Sequence, residues 1–265
     1  MSGDEILALI VCVIIAGLGW KSWLGGLLFF KPFERRAATQ WRAWLFPPLA
    51  GVVMLWVLFN CAAHDVRDDP KYIAFYLVMW LAWTGLCSGA WSYLGLSFRD
   101  DVLERENPAA ATALSGGLLG VTFIFAGGNI GEGPGWWVVV FSAGLATAAL
   151  LLLWLLGNQV TQACEAITID RDRAAGARAA GFFIGAGLIL GRAVAGDWHS
   201  AGQTTADFIA RGWPVLLLWA VAVSLDRFAR PTPQRPAPNH VLFGVLPGLF
   251  FIAAGMVEFI LQGPW

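Results

Sequence analysis

The sequence is poor in charged residues and lacks the residue sets that catalysis uses. Only 13% of its 265 residues are charged, and 17 Lys and Arg against 18 Asp and Glu give a formal net charge of -1. Because the charges balance and no basic run is interleaved with aromatic residues, the chain has no electrostatic attraction for a nucleic acid. The chain also has no Gly-rich phosphate loop and no Ser/His/Asp set. The sequence therefore predicts a protein that is not an enzyme and has no nucleic-acid partner.

Cysteine and histidine are scarce and scattered. The four cysteines form no Cys-x-x-Cys pair, and His64, His199 and His240 show no His-x-x-x-His or Glu-x-x-His spacing. Such spacings bring metal ligands together on a helix or loop. All three histidines fall at or outside the ends of apolar segments, which does not suit a haem held between two helices. We expect no metal and no cofactor.

Hydrophobic residues make up 58% of the chain, well above the globular range. Crossing a bilayer takes about 20 mostly apolar residues. We therefore predict an all-α, polytopic integral membrane protein with about eight transmembrane helices. The candidate spans are residues 6–20, 44–63, 72–96, 108–128, 136–156, 173–195, 208–225 and 240–261, of which 208–225 is weakened by Arg211 and Pro214.

The first span raises two questions. Asp4 and Glu5 precede it without a basic n-region or a small-residue cleavage site, so we expect a retained span rather than a signal peptide. Residues 21–42 then mix aromatic and basic side chains, which is typical of an amphipathic helix in the headgroup plane. Alternatively, residues 24–30 extend the first span past a snorkelling Lys21.

Basic residues concentrate on one side of the predicted spans. If the N-terminus faces outward, most of the 17 Lys and Arg fall on the inner side, as the positive-inside rule expects. With eight spans, both termini then lie on the outer side. The basic inner segments 35–42 and 171–178 would meet a cytoplasmic partner or anionic lipid.

Residues 100–197 contain two similar copies of one two-helix sequence. A shift of 65 positions places Asn107-x-Ala-Ala on Asp172-x-Ala-Ala without a gap. Such fixed-period similarity indicates an internal repeat, and since each copy has two spans the copies would run parallel. Asn107 and Asp172 are also good N-caps, which gives the element a purely structural explanation. The same shift pairs Gly116, Gly120, Ile124 and Glu132 with Gly181, Gly185, Ile189 and Asp197.

The chain divides accordingly into three predicted regions. Residues 1–71 hold the N-terminal spans with the interfacial segment. Residues 72–225 form the repeat core, with copies at about 100–157 and 165–225. Residues 226–265 contain a Pro-rich connector and the last span.

Glycines at four-residue spacing mark helix-packing faces, since lipid gives no hydrophobic drive for helix association and small residues allow close approach. Several such faces exceed what two neighbouring helices need. We therefore expect a homo-oligomer or other membrane-protein subunits as partners. The glycines concerned are Gly116, Gly120, Gly181, Gly185, Gly187 and Gly191.

Two pairs of charged residues fall near the outer ends of the spans. Arg192 lies five residues before Asp197, about 7 Å inward along a helix. An intramembrane ionisable group is a functional candidate, and Glu258 is its best partner. A structural ion pair or simple snorkelling is the preferred explanation of Arg192. Glu132 and Asp197 would stand at the outer mouth.

The segment from Asn107 through Pro-Ala-Ala-Ala-Thr-Ala-Leu-Ser-Gly-Gly-Leu-Leu to Gly120 resembles an element of the YjfL-like family of uncharacterised bacterial inner-membrane proteins. That family has a span, this element, a return span and a second Asn-x-Ala-Ala copy. The resemblance covers about residues 72–197. Asp172 departs from the usual Asn, and this chain has additional spans at both ends. The resemblance implies a multi-span bacterial inner-membrane protein without an established activity.

Two functions remain. The preferred one is a non-catalytic subunit or scaffold of a membrane assembly. The alternative is an oligomeric ion channel or transporter with Arg192, Glu258, Glu132 and Asp197 at its outer mouth. Conduction needs polar groups at mid-membrane, and the repeat helices carry almost only Gly, Ala, Leu, Ile and Phe there. That composition favours the scaffold.

Overall fold

The computed structural model describes residues 1–29, 37–230 and 239–263, and nearly all of them are helical. Within these ranges the only strand-like pairing is an isolated bridge between Ala62 and Gly131. The helices are α1 Gly3–Phe29, α2 Ala37–Asn60, α3 His64–Asp68, α4 Pro70–Tyr93, α5 Pro108–Gly128, α6 Trp136–Thr161, α7 Ala163–Thr168, α8 Arg173–Ala193, α9 Ala201–Gly212, α10 Pro214–Ala229 and α11 Leu246–Leu261, with π-helical segments Phe98–Glu104 and Val241–Val245.

Among the described residues, six helical stretches are long and apolar enough to cross a membrane. α9 and α10 make a seventh if they count as one span, although they meet at 46°. Within α2, residues Phe46–Asn60 form a shorter apolar helix. The helical, multi-span character is therefore as predicted, and the number eight stays a prediction. The six stretches are Gly3–Lys21, Pro70–Tyr93, Pro108–Gly128, Trp136–Thr161, Arg173–Ala193 and Val241–Leu261.

The predicted span 208–225 is interrupted. α9 begins upstream, where the Ser200 hydroxyl accepts a hydrogen bond from the backbone N–H of Gln203 at 3.1 Å. It ends at Gly212, and Pro214 opens α10. Proline has no N–H to continue a helix and its ring crowds the preceding turn, so the bend falls where the sequence places it.

The segment between the first two spans is partly described. α1 runs past Lys21 to Phe29, as expected if these residues extend the first span. α2 begins at Ala37. Residues 30–36, which belong to the proposed interfacial segment, lie outside the described residues.

A first layer contains α1, α4, α6 and α10, which lie side by side and run parallel. The Tyr72 hydroxyl of α4 donates to the Glu5 carboxylate of α1 at 3.3 Å. Further along the same helices, Trp23 donates to the Ser88 hydroxyl at 3.3 Å. Residues later in α1 therefore contact residues later in α4, so the two helices run parallel. The same order joins α4 to α6 (Trp83 with Thr147, Leu94 with Trp154) and α6 to α10 (Leu153 with Trp219, Val160 with Arg227).

A second layer is built in the same way from α2, α5, α8 and α11. Gly116 of α5 lies against Ala180 of α8, and Gly127 lies against Gly191. The bridge from Ala62 to Gly131 joins the C-terminal ends of α2 and α5. Gly181 meets Gly248, and Arg192 meets Gln262, so α11 runs parallel to α8.

The two layers pack face to face, and the helices of one layer run antiparallel to those of the other. The Trp80 indole of α4 donates to the Thr122 hydroxyl of α5 at 3.1 Å, whereas Trp91, later in α4, packs on Gly117, earlier in α5. α5 and α8 lie at the centre, with 78% and 89% of their spans buried, against 11% for the first span. The residues matched by the predicted repeat thus form the core.

Candidate functional site

The central helices touch backbone to backbone at the predicted glycine positions. A Cβ added at Gly116 would overlap Ala180, and one at Gly120 would overlap the carbonyl of Phe183. Glycine removes the side chain that would hold such helices apart. The other four positions behave alike: Gly181 faces Gly248, Gly185 faces Phe251, Gly187 faces Gly120 and Gly191 faces Phe123. All six glycines are therefore used within one chain, and they no longer argue for an oligomer.

The C-terminal ends of α5 and α8 are joined by a short ladder that contains Glu132 and Asp197. The Glu132 N–H donates to the Asp197 carboxylate at 2.8 Å, and the Trp198 N–H donates to the Glu132 carbonyl at 2.8 Å. Gly131 has φ 104°, and a Cβ there would overlap Gly196. The Glu132 carboxylate also accepts the N–H of His64 at 3.0 Å. Both predicted outer carboxylates therefore lie together and act as acceptors for backbone N–H groups.

Arg192 is buried at the end of α8, with 1% of its surface exposed. Its guanidinium donates to the carbonyls of Gln262 at 3.2 Å and Gly263 at 2.9 Å. The Gln262 side-chain amide donates in turn to the Glu258 carboxylate at 3.1 Å and to the Arg211 carbonyl at 3.0 Å. Arg192 and Glu258 thus share Gln262 as a neighbour, while direct pairing between them stays a prediction.

A small polar cavity of about 60 Å³ lies next to Glu132 between the two layers. Burial and polar contacts ordinarily mark such a cavity as a candidate site. Sequence reasoning missed most of its lining, because Tyr72 and Tyr76 lie on α4 whereas Asn129 follows α5. Its polar lining is Glu5, Asp65, Tyr72, Tyr76, Asn129, Glu132, Ser142 and Thr204.

Metal chemistry finds no support in the part of the chain that the structure describes. Across residues 1–29, 37–230 and 239–263, no group of three His, Cys, Asp or Glu side chains is arranged to hold a metal ion. His64 pairs with Asp68 at 2.6 Å, and both side chains are exposed.

On the opposite face, Asn107 and Asp172 begin α5 and α8 as predicted. The Asn107 side-chain oxygen accepts the N–H of Ala109 at 2.9 Å, and that of Asp172 accepts the N–H of Ala174 at 2.8 Å. Asn107 is fully buried, and its amide also donates to the Ile167 carbonyl at 2.7 Å. Asn107 therefore caps its own helix and joins it to the segment before α8.

Sequence reasoning missed an ion pair at the same end of the molecule. The Arg178 guanidinium binds the Asp226 carboxylate and the Phe243 carbonyl, which links α8, α10 and the π-helical segment before α11. The Arg178 side chain is 3% exposed and that of Asp226 18% exposed. The sequence feature that could have indicated this ion pair is Arg178 itself. It lies more than a turn inside α8, in the apolar stretch between Arg173 and Arg192 near the two ends of that helix.

Cys164 lies in α7, near the C-terminal ends of α4 and α6. Its thiol is buried and donates to the Leu94 carbonyl at 3.3 Å. Burial, together with the negative charges of Asp101 and Glu165, raises the pKa of Cys164 to about 12. A thiol with that pKa stays protonated at neutral pH and is a poor nucleophile.

Comparison with known proteins matches a region that includes the central helices α5 and α8. A search of curated proteins and a search of solved structures each found no match. The segment that resembles the YjfL-like family falls on α4 to α8, and that family name stays a prediction. Residues 71–194 match the model of DUF350, a domain of unknown function.

Proposed function

We propose that this protein is a non-catalytic, multi-span subunit or scaffold of an assembly in the bacterial inner membrane. The observation that carries the proposal is the backbone contact along α5 and α8, at Gly116, Gly120 and Gly127. Helices that touch along their length leave no aqueous path between them. The centre of the chain is therefore suited to holding a rigid shape and not to moving a solute.

The polar groups support the same proposal. Glu132 and Asp197 accept backbone N–H groups, and Asn107 and Asp172 cap helices. A catalytic base or nucleophile needs access to a substrate. The contacts of these four residues are those of structural acceptors, so we propose that the protein is not an enzyme.

We further propose that the chain contains successive copies of one antiparallel helix pair, giving eight spans with both termini on the outer side. Support comes from contacts that recur at nearly constant sequence separation between parallel neighbours. Examples are Trp23 with Ser88, Glu132 with Asp197 and Leu153 with Trp219. A stacked repeat contacts its neighbours in this way, each unit covering the apolar face of the next.

The partner would meet the ends of the layers or the inner surface. Exposed apolar side chains cover α1, including Ile10, Ile14 and Leu18, and a membrane subunit could pack there. On the inner face Arg99 pairs with Glu104 at 3.2 Å. Arg171 donates to the carbonyls of Arg105 and Glu106. Exposed Arg173 of the same segment is a candidate contact for a cytoplasmic partner or anionic lipid.

The second candidate is an oligomeric channel or transporter, which the polar cavity beside Glu132 favours. Ion flux into liposomes containing the purified protein separates the two. We expect flux no greater than in protein-free liposomes. Flux that rises with protein content and falls in Glu132→Gln, but not in the exposed control Asp100→Asn, would support the channel and overturn the scaffold.

A further inference from the structure

The polar cavity beside Glu132 lies where the two helix layers meet at one end of the molecule. The N-terminal ends of α1, α4 and α6 and the C-terminal end of α5 contribute residues to it. A water-sized group takes about 10–15 Å³ of such a volume, so a cavity of about 60 Å³ holds about four to six non-hydrogen atoms. Any ligand of this cavity must therefore be small.

Three buried polar side chains line the cavity and keep polar groups without a partner. Tyr76 is 7% exposed, Ser142 3% and Asn129 6%. Within the described residues, the hydroxyls of Tyr76 and Ser142 make no hydrogen bond. The Asn129 amide NH₂ donates to the Phe125 carbonyl at 2.7 Å, which leaves its side-chain oxygen as an acceptor. Since buried polar groups are normally hydrogen-bonded, these three groups call for a ligand or for water.

The charge around the cavity is negative. Exposed Asp65 and Glu132 and half-buried Glu5 line it, and none of the described lining residues is Lys, Arg or His. The Met1 ammonium lies 3.9 Å from the Glu5 carboxylate and balances its charge. Asp65 and Glu132 pair with no basic side chain in the part of the chain that the structure describes. A cleft lined by one sign of charge concentrates the opposite ion, so the cavity favours a cation.

The lining also selects the kind of cation. No three His, Cys, Asp or Glu side chains among the described residues are arranged to hold a metal ion. Instead, Tyr72, Tyr76 and Trp198 contribute aromatic rings, and several valines contribute apolar walls. Aromatic rings attract organic cations, and apolar walls contact carbon. An alkylammonium ion matches both features, whereas a bare metal ion matches neither.

A primary ammonium group has three N–H donors, and the cavity offers three acceptors without a partner. We propose that the cavity binds a small primary alkylammonium ion, whose nitrogen donates to Tyr76, Asn129 and Ser142. Asp65 and Glu132 balance its charge. A phosphatidylethanolamine headgroup fits less well, because its phosphate would lie against those two carboxylates. Binding needs no conducting path, so this inference goes beyond the scaffold function and does not depend on it.

Thermal unfolding of the purified protein in mild detergent tests the proposal, with propylammonium, tetramethylammonium and sodium chlorides at equal ionic strength as probes. A ligand that binds only the folded protein raises the unfolding temperature as its concentration increases. Propylammonium should raise it. Sodium, which has no carbon part, and tetramethylammonium, which has no N–H donor, should not.

Variants locate the effect in the cavity. Tyr76→Phe removes one acceptor and should weaken propylammonium binding about tenfold, since hydrogen bonds to charged groups are among the strong ones. Tyr93→Phe is the matched control, because Tyr93 lies on the same helix, exposed and outside the cavity, and should leave binding unchanged. Glu132→Gln keeps an oxygen for the His64 N–H and removes the charge, so it should weaken binding severalfold.

Several results would overturn the proposal. Equal stabilisation by propylammonium and sodium would show that the protein responds to ionic charge alone. No stabilisation by any probe would show that the cavity holds only water. Equal propylammonium binding by Tyr76→Phe and Tyr93→Phe would place the binding elsewhere. Loss of the propylammonium effect when phosphatidylethanolamine is added would assign the cavity to that headgroup.

Discussion

At the scale of single residues, glycine sets how closely the central helices approach. A Cβ at Gly120 would overlap the Phe183 backbone, whereas Gly89 of α4 has open space around it. We expect Gly120→Ala to destabilise the protein by about 1–3 kcal/mol through overpacking. Gly89→Ala should be neutral or stabilising, because alanine favours a helix over glycine. Thermal unfolding in mild detergent measures both, and equal losses would contradict the role given to Gly120.

The buried ion pair gives a second residue-scale prediction. Removing either Arg178 or Asp226 leaves a poorly solvated charge, and each alanine variant should lose about 3–5 kcal/mol. The double variant should lose much less than the sum. The exposed pair Arg99 and Glu104 serves as control, with a coupling below about 1 kcal/mol. Additive losses at Arg178 and Asp226, measured in a double-mutant cycle, would show that they do not interact.

Residue identities could be predicted where local chemistry decides them. Arg192 and the six glycines stand out in an apolar sequence, but their contacts depend on helices far away in the chain. Gln262, which lies between Arg192 and Glu258, carries no sequence signal. The Arg178 and Asp226 pair was missed because its two residues are 48 positions apart.

At the scale of elements, helix starts were predicted well and interruptions poorly. Asn107 and Asp172 precede α5 and α8 as capping chemistry requires. The π-helical segment Phe98–Glu104 and the short helix α7 have no such signature. They turn the chain between layers, and that turn depends on tertiary packing of residues such as buried Phe98 and Ile167.

The two caps should differ in strength. Asp172→Ala removes one cap bond and should lower stability by about 0.5–2 kcal/mol. Asn107→Ala removes a cap and also leaves the buried Ile167 carbonyl without its donor, which adds about 1–3 kcal/mol. Chemical unfolding of both variants measures the difference. A loss in Asp172→Ala as large as that in Asn107→Ala would show that the bond to Ile167 contributes nothing.

At the scale of the whole molecule, hydrophobicity predicted a multi-span helical protein. Two spans in each predicted repeat copy also predicted that the copies run parallel, and the repeat itself stays a prediction. The order of helices within each layer could not be read from the sequence, since it depends on which apolar faces are complementary. The prediction of an oligomer rested on glycine faces, and those six glycines pack inside the chain. We therefore propose that a partner binds elsewhere, at α1, whose span is the least buried among the described residues.

The central claim is that the protein serves as a non-catalytic subunit of a membrane assembly. Native mass spectrometry of the tagged protein, extracted gently from the membrane of its own host, tests this most directly. The account predicts that the protein emerges with other polypeptides in a fixed ratio. A protein that emerges alone, as a closed oligomer that carries ions across liposomes, would contradict it.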